Sequence, residues 1–295
     1  MSPSSASGSK SSREITSVPS AGFLEGLPEE SISHGFANIH IHEQMRERQQ
    51  NLYQNKTENQ FLIYSNVPYE VIQQLDEDRI VKGSRISYDL QTKALVIKIV
   101  ASEAHEMANR LFELLLYDKL GQMGLPNSLE PRGSARRIFG DFVKEPDSSW
   151  GPASLLGSPL VLSAVLEVGL SESARRMEAD SRRWIEAKDS SVRLAIAMDI
   201  DQRSPKISIE VWERVSQSPP RKTRAYRATA AKVLQVDISR LNGTTTANAN
   251  LILSFRNLLL RPADPANPLE HDIDITPQDL ESLAEDIWKA QGFIP

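Results

Sequence analysis

Two periods of apolar and polar residues run along this chain, and their order predicts its elements. Residues 1 to about 35 are dominated by Ser, Gly, Pro and Ala, with too few large apolar groups to offset the entropy of ordering, so disorder is expected there. Residues 37–60 are polar and charged, with an apolar face thin enough to allow only a marginal helix. Order is expected from Phe61. Val67-Pro68-Tyr69-Glu70, followed by Val71, Ile72 and Leu75, predicts a short helix with proline in its first turn. Residues 85–90 and 94–100 have strand character and are separated by Gln91-Thr92-Lys93, which predicts a hairpin with the second, more apolar run lying deeper.

Ser102 then has the character of a helix N-cap, with Glu103 and Glu106 in the first turn and Ala104, Met107, Ala108, Leu111, Phe112, Leu114, Leu115 and Leu116 following at helical spacing. This long helix should end near 121–124. His105 falls in its first turn, where it either faces solvent or a cap, or joins a site. A short strand through Ile138 and Phe139 leads toward Asp147. Residues 160–168, rich in Leu and Val and bounded by Pro159 and Gly169, predict a strand buried on both faces. Ser173 can cap a helix to about 187, and residues 192–200 and 206–212 predict two more strands. Strand-like runs at 232–238 and 251–260 follow, then a capped helix over 276–291. The order implies a mixed α/β fold. Its organisation is expected to be a mostly disordered leader (1–60), an α/β domain (61–215) and a C-terminal strand/helix extension (216–295).

Composition narrows the classes. At 295 residues, 40% hydrophobic and 25% charged, the chain can bury one good core. A net charge of −5 argues against wholesale capture of nucleic acid, so any such contact would be a local patch. One is available: Arg221, Lys222, Arg224, Arg227 and Lys232 form a basic run containing Tyr226, suited to phosphate contact with stacking or to a solvated loop. With no cysteine, disulfides, thiolate metal sites and cysteine nucleophiles are excluded. No apolar segment approaches the ~20 residues needed to span a bilayer, and no signal-peptide core is present. A soluble, intracellular protein, cytoplasmic or nuclear and with no membrane contact, is expected.

The chemistry centres on two acids. Glu167 lies inside the most apolar run, where an unpaired charge is costly, so it must reach an open strand end, be paired, or share a cation. Asp147, in a Pro-Asp turn twenty positions earlier, is the acid to share it with. Adjacent strand ends can present two carboxylates to one hard divalent cation, usually Mg²⁺, which can activate water and stabilise charge on a phosphodiester. His40 and His42, by contrast, lie on a polar stretch and are read as solvated side chains rather than ligands.

Pro146-Asp147, then Glu167-Val168-Gly169 with Ser171-Glu172-Ser173, then Asp180 and Trp184 before the strand at 192–200, resemble the core of the PD-(D/E)XK nuclease superfamily. More narrowly, Lys144-x-Pro146-Asp147-x-x-Trp150-x-Pro152 and Leu166-Glu167-Val168-Gly169 are similar to a restriction-endonuclease-like group abundant in bacteria, and to its fungal members. The hairpin before Ser102, with His105 opening the helix, matches that group's layout. The resemblance covers roughly residues 61–215. It implies a restriction-endonuclease-like mixed sheet flanked by helices and a Mg²⁺- or Mn²⁺-dependent nuclease acting on nucleic acid. Asp147 and Glu167 would then be metal ligands, the Val168 carbonyl a third, and Asp147, Glu167 and His105 catalytic. The superfamily lysine is expected two residues after the glutamate, but Gly169 stands there. The following helix offers only arginines, which do not surrender a proton near neutral pH, and Lys144 is the other candidate. The alternative is a nuclease-like fold that no longer cuts and serves as a binding module.

Overall fold

The structure is a computed structural model that describes residues 22–29, 31, 33–35, 40–77, 83–100, 102–155, 161–215 and 228–295. The basic run from Arg221 to Arg227 and the start of the predicted strand at 160 lie outside them. The chain builds a mixed α/β fold around two sheets. A six-stranded sheet holds β1 (Ser33–Gly35), β2 (Phe61–Ser65), β3 (Arg85–Asp89), β4 (Ala94–Lys98), β6 (Arg137–Phe139) and β7 (Phe142–Lys144), in the order β1-β2-β4-β3-β7-β6. The seven-stranded sheet uses β5 (Leu129–Pro131), β8 (Ser148–Pro152), β9 (Ala164–Leu170), β10 (Leu194–Ile200), β11 (Lys206–Val215), β12 (Thr229–Leu241) and β13 (Thr244–Ala247), in the order β13-β12-β11-β10-β9-β8-β5. Within it only β9 and β10 run parallel. A small third sheet pairs β14 (Leu251–Leu253) with β15 (Ile273–Ile275).

Helices cover both large sheets. Against the seven-stranded sheet, α3 (Glu103–Gln122) and α6 (Pro277–Gln291) pack on one face with Leu166, Val168 and Ile196, while α4 (Ala174–Glu186) packs on the other with Val165, Ala195 and Trp212. The six-stranded sheet carries α1 (Ile41–Tyr53) and α2 (Tyr69–Glu77) on one face, over Tyr64, Tyr88 and Leu95. Its opposite face is closed by residues 22–29, whose Phe23 packs with Phe61, Ile63 and Val96. Part of the expected leader is thus built into the fold. The C-terminal segment joins the same sheet as residues 61–215 through β12, and α6 shares one core with α3.

Local chemistry explains most boundaries. Asp89 accepts from the N–H groups of Gln91 and Thr92, which turns the β3–β4 hairpin at the predicted residues. The Ser173 hydroxyl accepts from the Arg176 N–H, and Thr276 and Asp279 form a capping box at α6. Ser102 occupies the N-cap of α3, but its side chain makes no cap hydrogen bond. The run 251–260 does not stay a strand: Ser254 accepts from the Asn257 N–H and starts α5 (Phe255–Leu259), so local capping ends the strand after Leu253.

One hairpin ties the two sheets together. Leu129↔Pro152, Glu130↔Gly151 and Pro131↔Trp150 pair in the seven-stranded sheet, and Arg137↔Lys144 to Phe139↔Phe142 pair in the six-stranded one. Between them Arg132 N–H donates to Ser149 O at 2.7 Å, and Arg136 pairs with Glu145 at 3.0 Å, so residues 129–139 run alongside 142–152 in one register. The crossover Glu145-Pro146-Asp147 lies at the seam.

Candidate functional site

The seam gathers the charged residues. Ser148↔Leu166 is the last rung of the β8–β9 ladder, so the next position sets Asp147 beside Glu167, and Asp147 Oδ2 accepts from the Val168 N–H at 2.9 Å. Register, rather than proximity in sequence, brings the two acids together. Glu167 is not at a strand end, as expected from the apolar run, but in the middle of β9, and it is buried. The strand extends to Leu170 because Gly169 continues the parallel ladder opposite Asp199.

Each acid has its own partners. Lys144 Nζ stands 3.0 Å from Glu167 Oε1 and 3.4 Å from Asp180 Oδ1, and the Trp184 indole N–H donates to Glu167 Oε1. Asp147 faces Arg85 Nε at 3.0 Å, His105 Nε2 at 3.2 Å and Lys98 Nζ at 3.8 Å. His105 is therefore a fully buried neighbour of Asp147 rather than a solvent-facing residue, because the first turn of α3 packs under the crossover, where Asn109 also donates to Asp147 O. Asp180 is held by Arg176 and Arg183 from its own helix. His40, at the α1 N-cap, lies 3.8 Å from Glu43 and is exposed.

A side chain at Gly169 would press on two neighbouring side chains, which would have to move aside. A Cβ there would lie 2.9 Å from both Asp199 Oδ1 and Met177 Sδ. An ammonium reaches this place from another strand. Lys98, the last residue of β4, donates to Val168 O at 2.7 Å and pairs with Glu172 Oε1 at 2.6 Å while facing Asp147. In the sequence Lys98 is the one polar residue inside the apolar run 94–100, and the structure ends β4 there. Its position next to Glu172 comes from the packing of one sheet against the other, so no spacing along the chain points to it.

The electrostatics push the two acids apart. Burial raises the Asp147 carboxyl, but His105, Lys98 and Arg85 outweigh it and hold the group well below the usual carboxylate range. For Glu167 burial prevails, reinforced by Asp147 and Asp180 against Lys144, and its carboxyl is pushed up. Burial would lower Lys98, yet Glu172, Asp147 and Glu167 hold its ammonium well above the usual range. Two neighbouring carboxylates with opposite shifts are the pattern of a divided acid–base pair.

The site is nearly closed. A cavity of about 10 Å³, at the lower limit for one water, is lined by Lys98, Lys144, Glu167, Arg85, Arg176 and Asp180. Residues 22–29 form a strap over it: Phe23 O accepts from Arg176, Gly22 O from Arg183, Gly26 O from the Ser173 hydroxyl, and Glu25 pairs with Arg175 at 2.7 Å. Gly26, at φ +72°, lies so close to α4 that a Cβ would sit 2.3 Å from Arg176 N. Among the described residues no cluster of three or more His, Asp or Glu side chains is arranged to hold a metal ion, and no helix is long and apolar enough to cross a membrane.

No family model matches the chain, and no curated protein matches it in sequence. Among solved structures it is similar to a "putative nuclease belonging to DUF820" from Anabaena variabilis, with 11% identity and a TM-score of 0.36, over 68% of this chain and 90% of that one.

Proposed function

We propose that this chain is a metal-dependent nuclease that hydrolyses phosphodiester bonds of nucleic acid at the seam between its two sheets. One observation carries this reading: Asp147 and Glu167 are neighbours on adjacent strands, and Lys98 brings an ammonium from β4 onto the Val168 carbonyl, beside Asp147. The donor set suits a hard divalent cation. Carboxylate oxygens of Asp147 and Glu167 and the Val168 carbonyl would be its oxygen ligands, with Arg85 Nε 3.0 Å from Asp147 Oδ1 and Lys98 Nζ on Val168 O as the groups to be displaced. A bound Mg²⁺ or Mn²⁺ would supply water activation and charge stabilisation.

The chain's own groups divide the remaining work. Asp147, held ionised, is the fixed negative charge. Glu167, with its raised affinity for a proton, is suited to take one from water. Lys98, held protonated, can donate to a phosphate oxygen or to the leaving oxygen but is not a base. His105 buttresses Asp147 from below and acts as a positioning residue.

A second reading, a nuclease-like module that binds without cutting, has its own observation. Lys98 Nζ already sits on Val168 O and faces Asp147, and Lys144 already sits on Glu167, so a metal ion would have to displace both ammonium groups. A melt of the wild type and of Glu167→Gln, each with and without Mn²⁺, separates the two. For the nuclease, Mn²⁺ raises the wild-type melting temperature and the variant loses that gain, since stabilisation scales with ligand binding. For the module, neither protein responds to Mn²⁺, and Glu167→Gln costs ~1–3 kcal/mol because buried partners lose their acceptor. Plasmid and single-stranded DNA incubated with Mn²⁺ complete the test. Absence of both a metal response and cleavage would end the enzyme reading.

A further inference from the structure

Residues 132–137, Arg-Gly-Ser-Ala-Arg-Arg, lead from β5 into the first residue of β6 and run alongside the acid-bearing crossover. The hairpin register sets Arg132 against Ser149 and Arg137 against Lys144, so the loop between them passes directly opposite Asp147. Its three arginines differ in their surroundings. Arg136 is pinned, donating to Glu145 and to Ile72 O. Arg132 and Arg137 have no carboxylate partner among the described residues; the only side-chain hydrogen bond from either runs from Arg137 to the Arg136 carbonyl. Both are partly buried, and the Nε–H of each is sealed from solvent with no acceptor.

Two guanidinium groups on one short stretch of hairpin, each partly desolvated without a counter-charge, are unfavourable, and burial followed by the Arg132 charge lowers the proton affinity of Arg137. A fold can retain such a pair when an anion supplies the missing acceptors. Arginine also presents a planar fork that matches phosphate oxygens in pairs, which a lysine does not.

We infer that Arg132 and Arg137 form a phosphate-binding clamp that grips the backbone of a nucleic-acid strand beside the Asp147–Glu167 site. The identity of the strand rests on the nuclease reading above, whereas the phosphate chemistry rests on the clamp alone. Lys144, across the rung from Arg137, ties the two places together, because its ammonium contacts Glu167. A strand gripped at Arg132 and Arg137 would present a neighbouring phosphodiester at the seam.

The test measures binding without chemistry. Fluorescence anisotropy of a labelled single-stranded 12-mer in EDTA is followed over a range of salt concentrations. Arg132→Gln/Arg137→Gln should weaken binding at least tenfold and flatten the slope of log K against log salt by about 1.4, two contacts at ~0.7 each for a single strand. The conservative Arg137→Lys keeps the charge but loses the fork and should fall between them, which guards against misfolding of the double variant. Arg203→Gln, at an exposed arginine paired with Glu58, should bind as the wild type. Unchanged affinity and slope in the double variant overturn the clamp. Thermal protection by inorganic phosphate in the wild type, with no oligonucleotide binding, overturns the nucleic-acid assignment. Failure of cleavage with Mn²⁺ while the EDTA binding behaves as expected removes the nuclease reading and leaves the clamp standing.

Discussion

Asp199 shows at the scale of one residue how the packing of the seam costs stability. It lies on β10 opposite Gly169 and accepts from the Glu172 N–H at 3.0 Å, but burial, reinforced by the Glu172 charge, pushes its carboxyl up to about 6. An acid whose folded pKa exceeds its unfolded value keeps its proton longer in the native state. Stability is therefore fully present below the unfolded value of 3.8 and falls as pH rises toward about 6. Asp199→Asn keeps an acceptor without the charge. It should stabilise the protein at pH 7 by on the order of 3 kcal/mol, two pKa units at 1.36 kcal/mol each, and by nothing below pH 3.8. Urea unfolding at both pH values checks this, and an equal gain at each would show that the charge is not the cause. Legibility at this scale was uneven. Glu167 stood out because a carboxylate inside Leu-Glu-Val violates a local rule. Lys98 and Asp199 did not stand out: a lysine can carry its ammonium out of an apolar run on its long stem, and an acid near a strand end is ordinary until the fold packs over it.

At the scale of elements, the strap and the long hairpin decide what reaches the site. Phe23 is buried, stacks on Phe142 with centroids 6.1 Å apart, and has the Arg183 guanidinium 5.2 Å from its ring centre. Phe23→Ala should cost about 3 kcal/mol, as for other large buried aromatics. It should also speed amide exchange in β2 and β4 beneath the strap, without changing exchange in β10 and β11. Exchange equally slow in β2 and β4 would show that the strap does not close that face. Sequence patterns located most helices and strands because capping and periodicity are local. They missed the strap, whose apolar content is little more than Phe23, Leu24 and Leu27, and whose order depends on α4 carrying arginines toward its carbonyls.

At the scale of the molecule, the two sheets are joined by residues 129–152 and the C-terminal segment is folded into the larger one. One cooperative transition is the expected outcome, with far-UV dichroism and tryptophan fluorescence coinciding. Trp288 of α6 is fully buried with Leu116 and Leu120 of α3, so Trp288→Ala should cost ~3–5 kcal/mol and shift both signals together. A separate early transition in that variant would mark residues 228–295 as an independently unfolding extension.

The order of the chain's own periods, caps and turns determined the helices and strands and the mixed α/β class, because those signals act over a few residues. It also marked Asp147 and Glu167 as acids needing a reason. Only the tertiary structure decided how they are answered. Strand register set the two acids side by side, the first turn of α3 brought His105 beneath Asp147, and the second sheet delivered Lys98 onto the Val168 carbonyl. Those are contacts between residues tens of positions apart, and their pairing depends on which faces bury together rather than on any spacing along the chain.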